Sequence, residues 1–354
     1  MRILDRYIRN AVITTTFLVC LVITAIQLFL SLVQEFQHIG QGHYTLWKAL
    51  MFVAMQLPSE VYQLFPMGAF LGAMIGLARL SSSSQLMVMR ASGVSITRIT
   101  WSVLKAAVLM ITVMTLLGEY AGPQWQLQSE KNRQEALYSS PTSATLQSIW
   151  LHDQNNFTHI KQLKNNQEMI RVVHFKFGAN KQLDSATHAA FAQLINNRWE
   201  LFNLKTTVFH SQHTQVKLKK TAHLSIPFQP KLEIEMRVVS GEQMLTALYH
   251  TIQYRRAMGL SVNQFIFSFY QRLLQPITSL ILIGLAVPFV FGSFRSTSIA
   301  MRIMLGIVLG FLFYILNQVF GPISLVFQLP PLLAAIMPSA FFLIILLVCL
   351  LMMR

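Results

Sequence analysis

Six long apolar stretches, three on either side of a polar block, constrain this chain more than any motif it contains. They run Ala11–Val33, Ala49–Ala78, Ile99–Leu117, Phe265–Phe291, Ile303–Phe320 and Leu332–Met353. A helix of roughly 20 apolar residues crosses the hydrocarbon core of a bilayer, so each stretch is long enough, or nearly so, to span it. With 53% hydrophobic and 12% charged residues over 354 positions, and a positive mean hydropathy, a soluble domain is excluded. The first stretch follows a basic segment, MRILDRYIRN. It is too long for a signal-peptide core and has no convincing small-residue cleavage site, so it reads as a retained first span. Cys20 and Cys349 both fall in apolar stretches, where a thiol serves as a small hydrophobe, and two distant single thiols make no disulfide framework.

The basic residues orient the spans. With the amino terminus inside, the cytoplasmic pieces carry Arg2, Arg6, Arg9, Arg79, Arg90, Arg98, Arg295, Arg302 and Arg354 against the single acid Asp5. The short outer loops carry only Lys48, beside Glu35. This asymmetry places both termini in the cytoplasm and the polar block outside. The net charge of +15 is thus no nucleic-acid signature by itself. The block 121–265 holds 16 Lys/Arg against 9 Asp/Glu, and in a membrane setting lipid phosphates suit that excess better than nucleic acid.

Within the block, Met169–Phe177 alternates, with Val173, Phe175 and Phe177 on one face and His174 and Lys176 on the other, which is the period of a strand. Gly178–Asn180 suits a turn, and similar runs follow at Leu183–Leu194, Trp199–Phe209 and Val216–Phe228, two of them separated by Asn196, Asn197 and Arg198. The fold class expected is therefore membrane α-helical, six transmembrane helices arranged three plus three, with an inserted all-β domain of sandwich or open jelly-roll type. Its divisions are 1–120, 121–264 and 265–354. Its interior is either a filled core or a groove for acyl chains.

Inside the second span, Pro58 and Pro66 interrupt the helix, Glu60 lies between them, and Gly68, Gly72 and Gly76 follow on one face. A glycine stripe permits close helix approach, and Gly306 with Gly310 offers a second in the fifth span; the alternative is the ordinary glycine frequency of membrane helices. Glu60 suits a proton-relay carboxylate, a cap for a helix restarting after Pro58, or a position in the outer interface. Between spans two and three, Ser84 suits an N-cap and Gly93 the position past a C-terminus, which delimits a short helix. Leu86, Met89 and Arg90 share a face of it, fit either for the membrane surface or for the groove of a cytoplasmic partner.

Chemistry is sparse. The sequence contains no H-E-x-x-H, no paired-cysteine motif and no G-x-x-x-x-G-K-[ST]. His210 and His213 come nearest to ligand spacing, and they suit a strand or turn better than a metal site. Metal, cofactor and catalytic residues are accordingly expected to be absent, although Glu60 and Arg272 leave an intramembrane lipid-modifying enzyme open as one class. A membrane-anchored binding or assembly protein, recruiting partners by strand addition, is a second.

Several local signatures bear on the choice: LDRYI at Leu4–Ile8, GQGHY at Gly40–Tyr44, FPMGAFLGAMIGLA at Phe65–Ala78, VMRASG at Val88–Gly93, GEYAGPQ at Gly118–Gln124, FGSFRS at Phe291–Ser296 and FYILNQVFGP at Phe313–Pro322. In their order and loop placement they resemble the LptF/LptG family of lipopolysaccharide-export permeases of Gram-negative inner membranes. The resemblance implies a periplasmic jelly roll, a paired permease of the LptF type, a cytoplasmic ATPase dimer, LptB, that binds the ATP and magnesium, and LptC and periplasmic LptA as further partners. It implies a coupling helix at Gln85, Leu86, Met89, Arg90 and Gly93, and no nucleic-acid partner. For the lipopolysaccharide path, between the first span and the fifth of the paired permease, it points to Phe29, Leu32, Arg133, Phe175, Arg272 and Phe313, in contact with membrane lipids. Two departures stand out. Gln85 replaces the family's acid at the start of the coupling helix, and Ser31, Gln37, His38 and Ser59 stand where relatives often carry lysines.

Overall fold

The computed structural model describes residues 2–137, 146–153, 156–164, 168–178, 182–195, 198–209, 213–224, 244–257, 260–291 and 298–352. Its helices are α1 (Arg2–Glu35), α2 (Leu46–Ser82), α3 (Gln85–Ala91), α4 (Ile96–Leu116), α5 (Gly122–Leu137), α6 (Leu245–Ala257), α7 (Asn263–Phe291), α8 (Ile299–Val326) and α9 (Pro331–Leu351). Among the described residues, six helical segments are long and apolar enough to cross a membrane, three before the inserted strands and three after. Arg295, Arg354, Asn196, Asn197, His210 and much of the FGSFRS signature lie outside the described residues.

Helix α2 is the hub. Its two prolines do not interrupt it, because α2 runs unbroken from Leu46 to Ser82 with Pro58 and Pro66 inside. A proline deprives the carbonyl four residues earlier of its donor, which for Pro66 is that of Tyr62. Gln275 on α7 supplies the replacement, its Nε2 donating to the Tyr62 carbonyl at 2.6 Å. A neighbouring helix thus restores the bond that the proline removes. Glu60, two residues before Tyr62, therefore sits mid-helix and caps no restart.

The glycine stripe of α2 faces α1. A Cβ on Gly72 would lie 2.8 Å from the Thr16 backbone nitrogen, one on Gly68 would lie 2.6 Å from Cys20 Sγ, and one on Gly76 would lie 2.5 Å from Thr15 Oγ1. The close approach also brings Thr15 Oγ1 within 2.8 Å of the Gly72 carbonyl, to which it donates. The second pair, Gly306 and Gly310 on α8, packs on α2 against Met74, Leu71 and Met67. Phe70 of α2 meets Phe289 of α7 edge to face at 6.4 Å, within the core that joins α1, α2, α4 and α7.

The helix of the third span does not end at Leu117. A π-helical segment, Leu117–Ala121, leads directly into α5, so helix continues to Leu137. Polar α5 rises beside α2 and carries no apolar periodicity that would mark it in the sequence. The strands are β1 (Leu146–Asp153), β2 (Asn156–Lys164), β3 (Glu168–Phe177), β4 (Leu183–Ile195), β5 (Arg198–Phe209) and β6 (Thr214–Leu224). They form one antiparallel sheet in chain order. The crossovers of a jelly roll would bring non-sequential strands together, and the described strands have none.

A crease crosses this sheet. The pairing passes over Ser148, Lys161, Arg171, Ala190, Asn203 and Lys220, one residue per strand along a single line. Arg171 and Asn203 take positive φ there, 53° and 54°. Strand alternation slips by one residue at the line, so fully buried positions fall three apart: Met169 and Val172, Ala189 and Ala192, Leu201 and Leu204. Val173, Phe175 and Phe177 do share a face, as their spacing predicts, but the fully buried face is the one bearing Val172.

Candidate functional site

Helix α3 begins after Ser84, which takes a left-handed φ of 58° and makes no side-chain cap. It ends before Gly93, whose φ of 89° suits glycine. Leu86 and Met89 turn inward onto the main core, whereas Met87, Val88 and Arg90 are exposed. The single face expected for Leu86, Met89 and Arg90 is therefore split. Met89 anchors α3 to its own protein, and the surface left for a partner is built from Met87, Val88 and Arg90. Gln85 is already engaged, since the Tyr7 hydroxyl donates to its Oε1 at 2.9 Å.

At the opposite end of α1, Arg133 from α5 lies against the buried Glu35, its Nε 3.1 Å from Oε2. Tyr44 donates to the same oxygen at 2.9 Å. Burial, together with the Glu35 carboxylate, pushes the Tyr44 phenol above its ordinary range. The guanidinium also reaches Glu130 at 3.5 Å and sits over the Phe52 ring at 5.1 Å. It borders a recess of about 380 Å³ between α2 and α5 that Lys48 and Asn132 share. Glu35 and Tyr44, to which the sequence alone assigns no role in the site, hold this cation in place.

Arg272 on α7 is the second cation. Its Nε donates to Glu119 Oε2 at 3.0 Å, a further nitrogen donates to the Gly118 carbonyl, and the guanidinium stacks on Tyr62 at 5.3 Å. Glu119 lies in the π segment, and its other oxygen accepts from the Leu245 backbone nitrogen at 2.6 Å. One carboxylate thereby joins the carboxy-terminal end of the third span, the first turn of α6 and α7. Arg272 also borders a small cavity of about 100 Å³ among α2, α7, α8 and α9, lined by Gln63, Gln271, Gln275, Asn317 and Gln318.

The remaining path residues differ in access. Phe29 on α1 is 65% exposed. Leu32 is half-buried beneath the Tyr44 cluster, and Phe175 is half-buried, stacked on Trp150 at 6.2 Å. Phe313, at 4% exposure, lies edge to face with Phe342 at the wall of the glutamine-rich cavity and not on an open flank. Of the positions where lysines were expected, Ser59 is buried and donates to Gln126 on α5 at 3.2 Å. Gln37 is exposed, and Ser31 and His38 are half-buried.

Six spans divided by an inserted β domain, with cations gathered in recesses at one end of the helices, define a polytopic membrane permease. Comparison with known proteins narrows the class. The lipopolysaccharide export system permease LptF/LptG family matches residues 6–352, and the chain belongs to that family. It is 30% identical over 350 residues to the lipopolysaccharide export system permease protein LptG of Escherichia coli strain K12, covering 97% of this chain and 96% of the relative. The protein of that name from Haemophilus influenzae is 28% identical over 349 residues, 96% of each chain.

Proposed function

We propose that this multi-pass inner-membrane protein is the permease subunit of an ABC transporter that takes lipopolysaccharide from the membrane and passes it to a periplasmic bridge. Both termini face the cytoplasm and the β domain faces the periplasm, as the arginine asymmetry requires. ATP hydrolysis belongs to a separate dimer, LptB, which holds the ATP and magnesium and docks on α3. The chain itself carries no cofactor. A paired permease, LptF, completes the gate against α1, and LptC and LptA receive the cargo.

What supports the route is one continuous flank. The exposed apolar side of α1 carries Phe29, half-buried Leu32 follows, and Glu35 then holds Arg133 at the border of the recess that Lys48 shares. Acyl chains suit the first part and phosphates the second. Arg133 is partly neutralised by Glu35, so an arriving phosphate competes with a carboxylate, which favours transient over tight binding.

A photo-crosslinking residue placed at Phe29 or Phe175 in cells is expected to capture lipopolysaccharide. One at Phe313 is expected to capture none, because that side chain is enclosed. Silence at both Phe29 and Phe175 would overturn the route.

A further inference from the structure

We infer that the groove between α1 and α4 binds one anionic phospholipid of the leaflet at the amino-terminal end of α1, with its acyl chain between the helices and its phosphate on Arg9 and Lys105. The groove has a volume of about 480 Å³ and is floored by α2; Ile13, Phe17, Leu21, Phe65, Leu109 and Val113 are among its lining residues. Phe17, Leu21, Leu109 and Val113 are exposed, so it opens sideways along the helices. Its lining on α1 runs from Ile13 to Leu28, which at 1.5 Å per residue is roughly 22 Å. That exceeds half of a hydrocarbon core of about 30 Å, enough length for a full acyl chain entering from one side.

The relative height of the two walls is fixed below the groove. Ser102 donates to Asp5 Oδ1 at 2.8 Å, and Arg98 lies 3.8 Å from the same oxygen. One turn further along each helix come Arg9 on α1 and Lys105 on α4, four residues before Ile13 and Leu109 respectively. Both are exposed. Among the described residues neither makes an ion pair, and the nearby carboxylate, Asp5, is already taken by Arg98 and Ser102. A lysine inside an apolar span is costly unless it reaches the interface or a counter-ion. Trp101, one turn before Lys105 and exposed, marks the headgroup level in the manner of interfacial aromatics. Two cations at the mouth of an apolar slot, at headgroup height, match a phosphate with an acyl chain attached.

The leaflet, cytoplasmic, rests on the orientation proposed above; the site itself does not. The test is native mass spectrometry of the full chain released from bilayers of equal phosphatidylglycerol and phosphatidylethanolamine. Wild type is expected to retain one phosphatidylglycerol. Arg9→Gln with Lys105→Gln is expected to retain it at least about tenfold less, as loss of two headgroup contacts implies. Val113→Trp fills the slot without changing charge and is expected to lose the lipid too. Equal retention by the charge variant, equal retention of both lipids, or full retention by Val113→Trp would each overturn the site. So would a photo-crosslinker at Lys105 that captures a protein helix in place of lipid. Unchanged lipopolysaccharide capture at Phe29 in the same variants would separate failure here from failure of the permease reading.

Discussion

At the scale of single residues, small changes in the helix contacts should have unequal effects. A methyl group on Gly72 meets the backbone of α1, which cannot step aside, whereas one on Gly306 meets the mobile end of Met74. Gly72→Ala is expected to cost about 1–3 kcal/mol as overpacking, and Gly306→Ala much less; thermal unfolding in detergent should show that order. Equal midpoints would contradict it. The Tyr62 carbonyl gives a sharper case, because its donor comes from another helix. Gln275→Leu should lower stability by roughly 1 kcal/mol. The same change in a Pro66→Ala background should cost less, since an alanine in place of the proline restores the backbone donor. A double-mutant cycle with no coupling would refute the replacement. The glycine stripes were legible in the sequence as packing faces, though not the helices they meet; the bond to the Tyr62 carbonyl was not, because Pro66 reads as an interruption and Gln275 carries no signal. Glu35 and Glu119 were likewise visible only as acids near a membrane edge; that each holds a cation depends on contacts between residues 98 and 153 positions apart.

At the scale of elements, hydropathy sufficed for the six spans, because placing roughly 20 apolar residues in lipid dominates every local preference. The strands at β3 to β6 were equally plain from alternation. Helices α5 and α6 were not, since a polar helix held by neighbours has no apolar stripe to read. The crease was invisible for a different reason. Arg171 and Asn203 look ordinary, and only pairing across all six strands shows the slip in alternation. Helix α3 shows how an element can be found while its faces are misassigned. Its limits follow from Ser84 and Gly93, but which side turns inward is decided by the core it meets. Met89→Asp is therefore expected to destabilise the isolated subunit, by several kcal/mol for a buried charge. Val88→Asp, at an exposed position, should leave the unfolding midpoint unchanged and abolish co-purification with the ATPase. If Val88→Asp retained full co-purification, the docking role of α3 would fail.

At the scale of the whole molecule, the question is how the β domain and the membrane helices are made to act together. The chain leaves the membrane through a π-helical segment and returns through α6, and Glu119 ties both passages. A π segment exposes backbone groups that a regular helix would satisfy, and here Arg272 takes up the Gly118 carbonyl while stacking on Tyr62. Gly118 leaves the room, since any Cβ there would strike the Tyr62 ring. Any displacement of α6 at Leu245 must therefore pull on Glu119, and through Arg272 on α7. The Arg272 side chain is 9% exposed and that of Glu119 19%, so removing the acid strands a largely buried cation at a cost of about 3 kcal/mol. Glu119→Ala should lose both the ion pair and the bond to Leu245, and Glu119→Gln should lose only the ionic part. Amide hydrogen exchange over 245–250 is then expected to be slowest in wild type, intermediate in Glu119→Gln and fastest in Glu119→Ala. If all three exchanged alike, α6 would be held by other contacts, and motion in the β domain would have to reach the spans by another route.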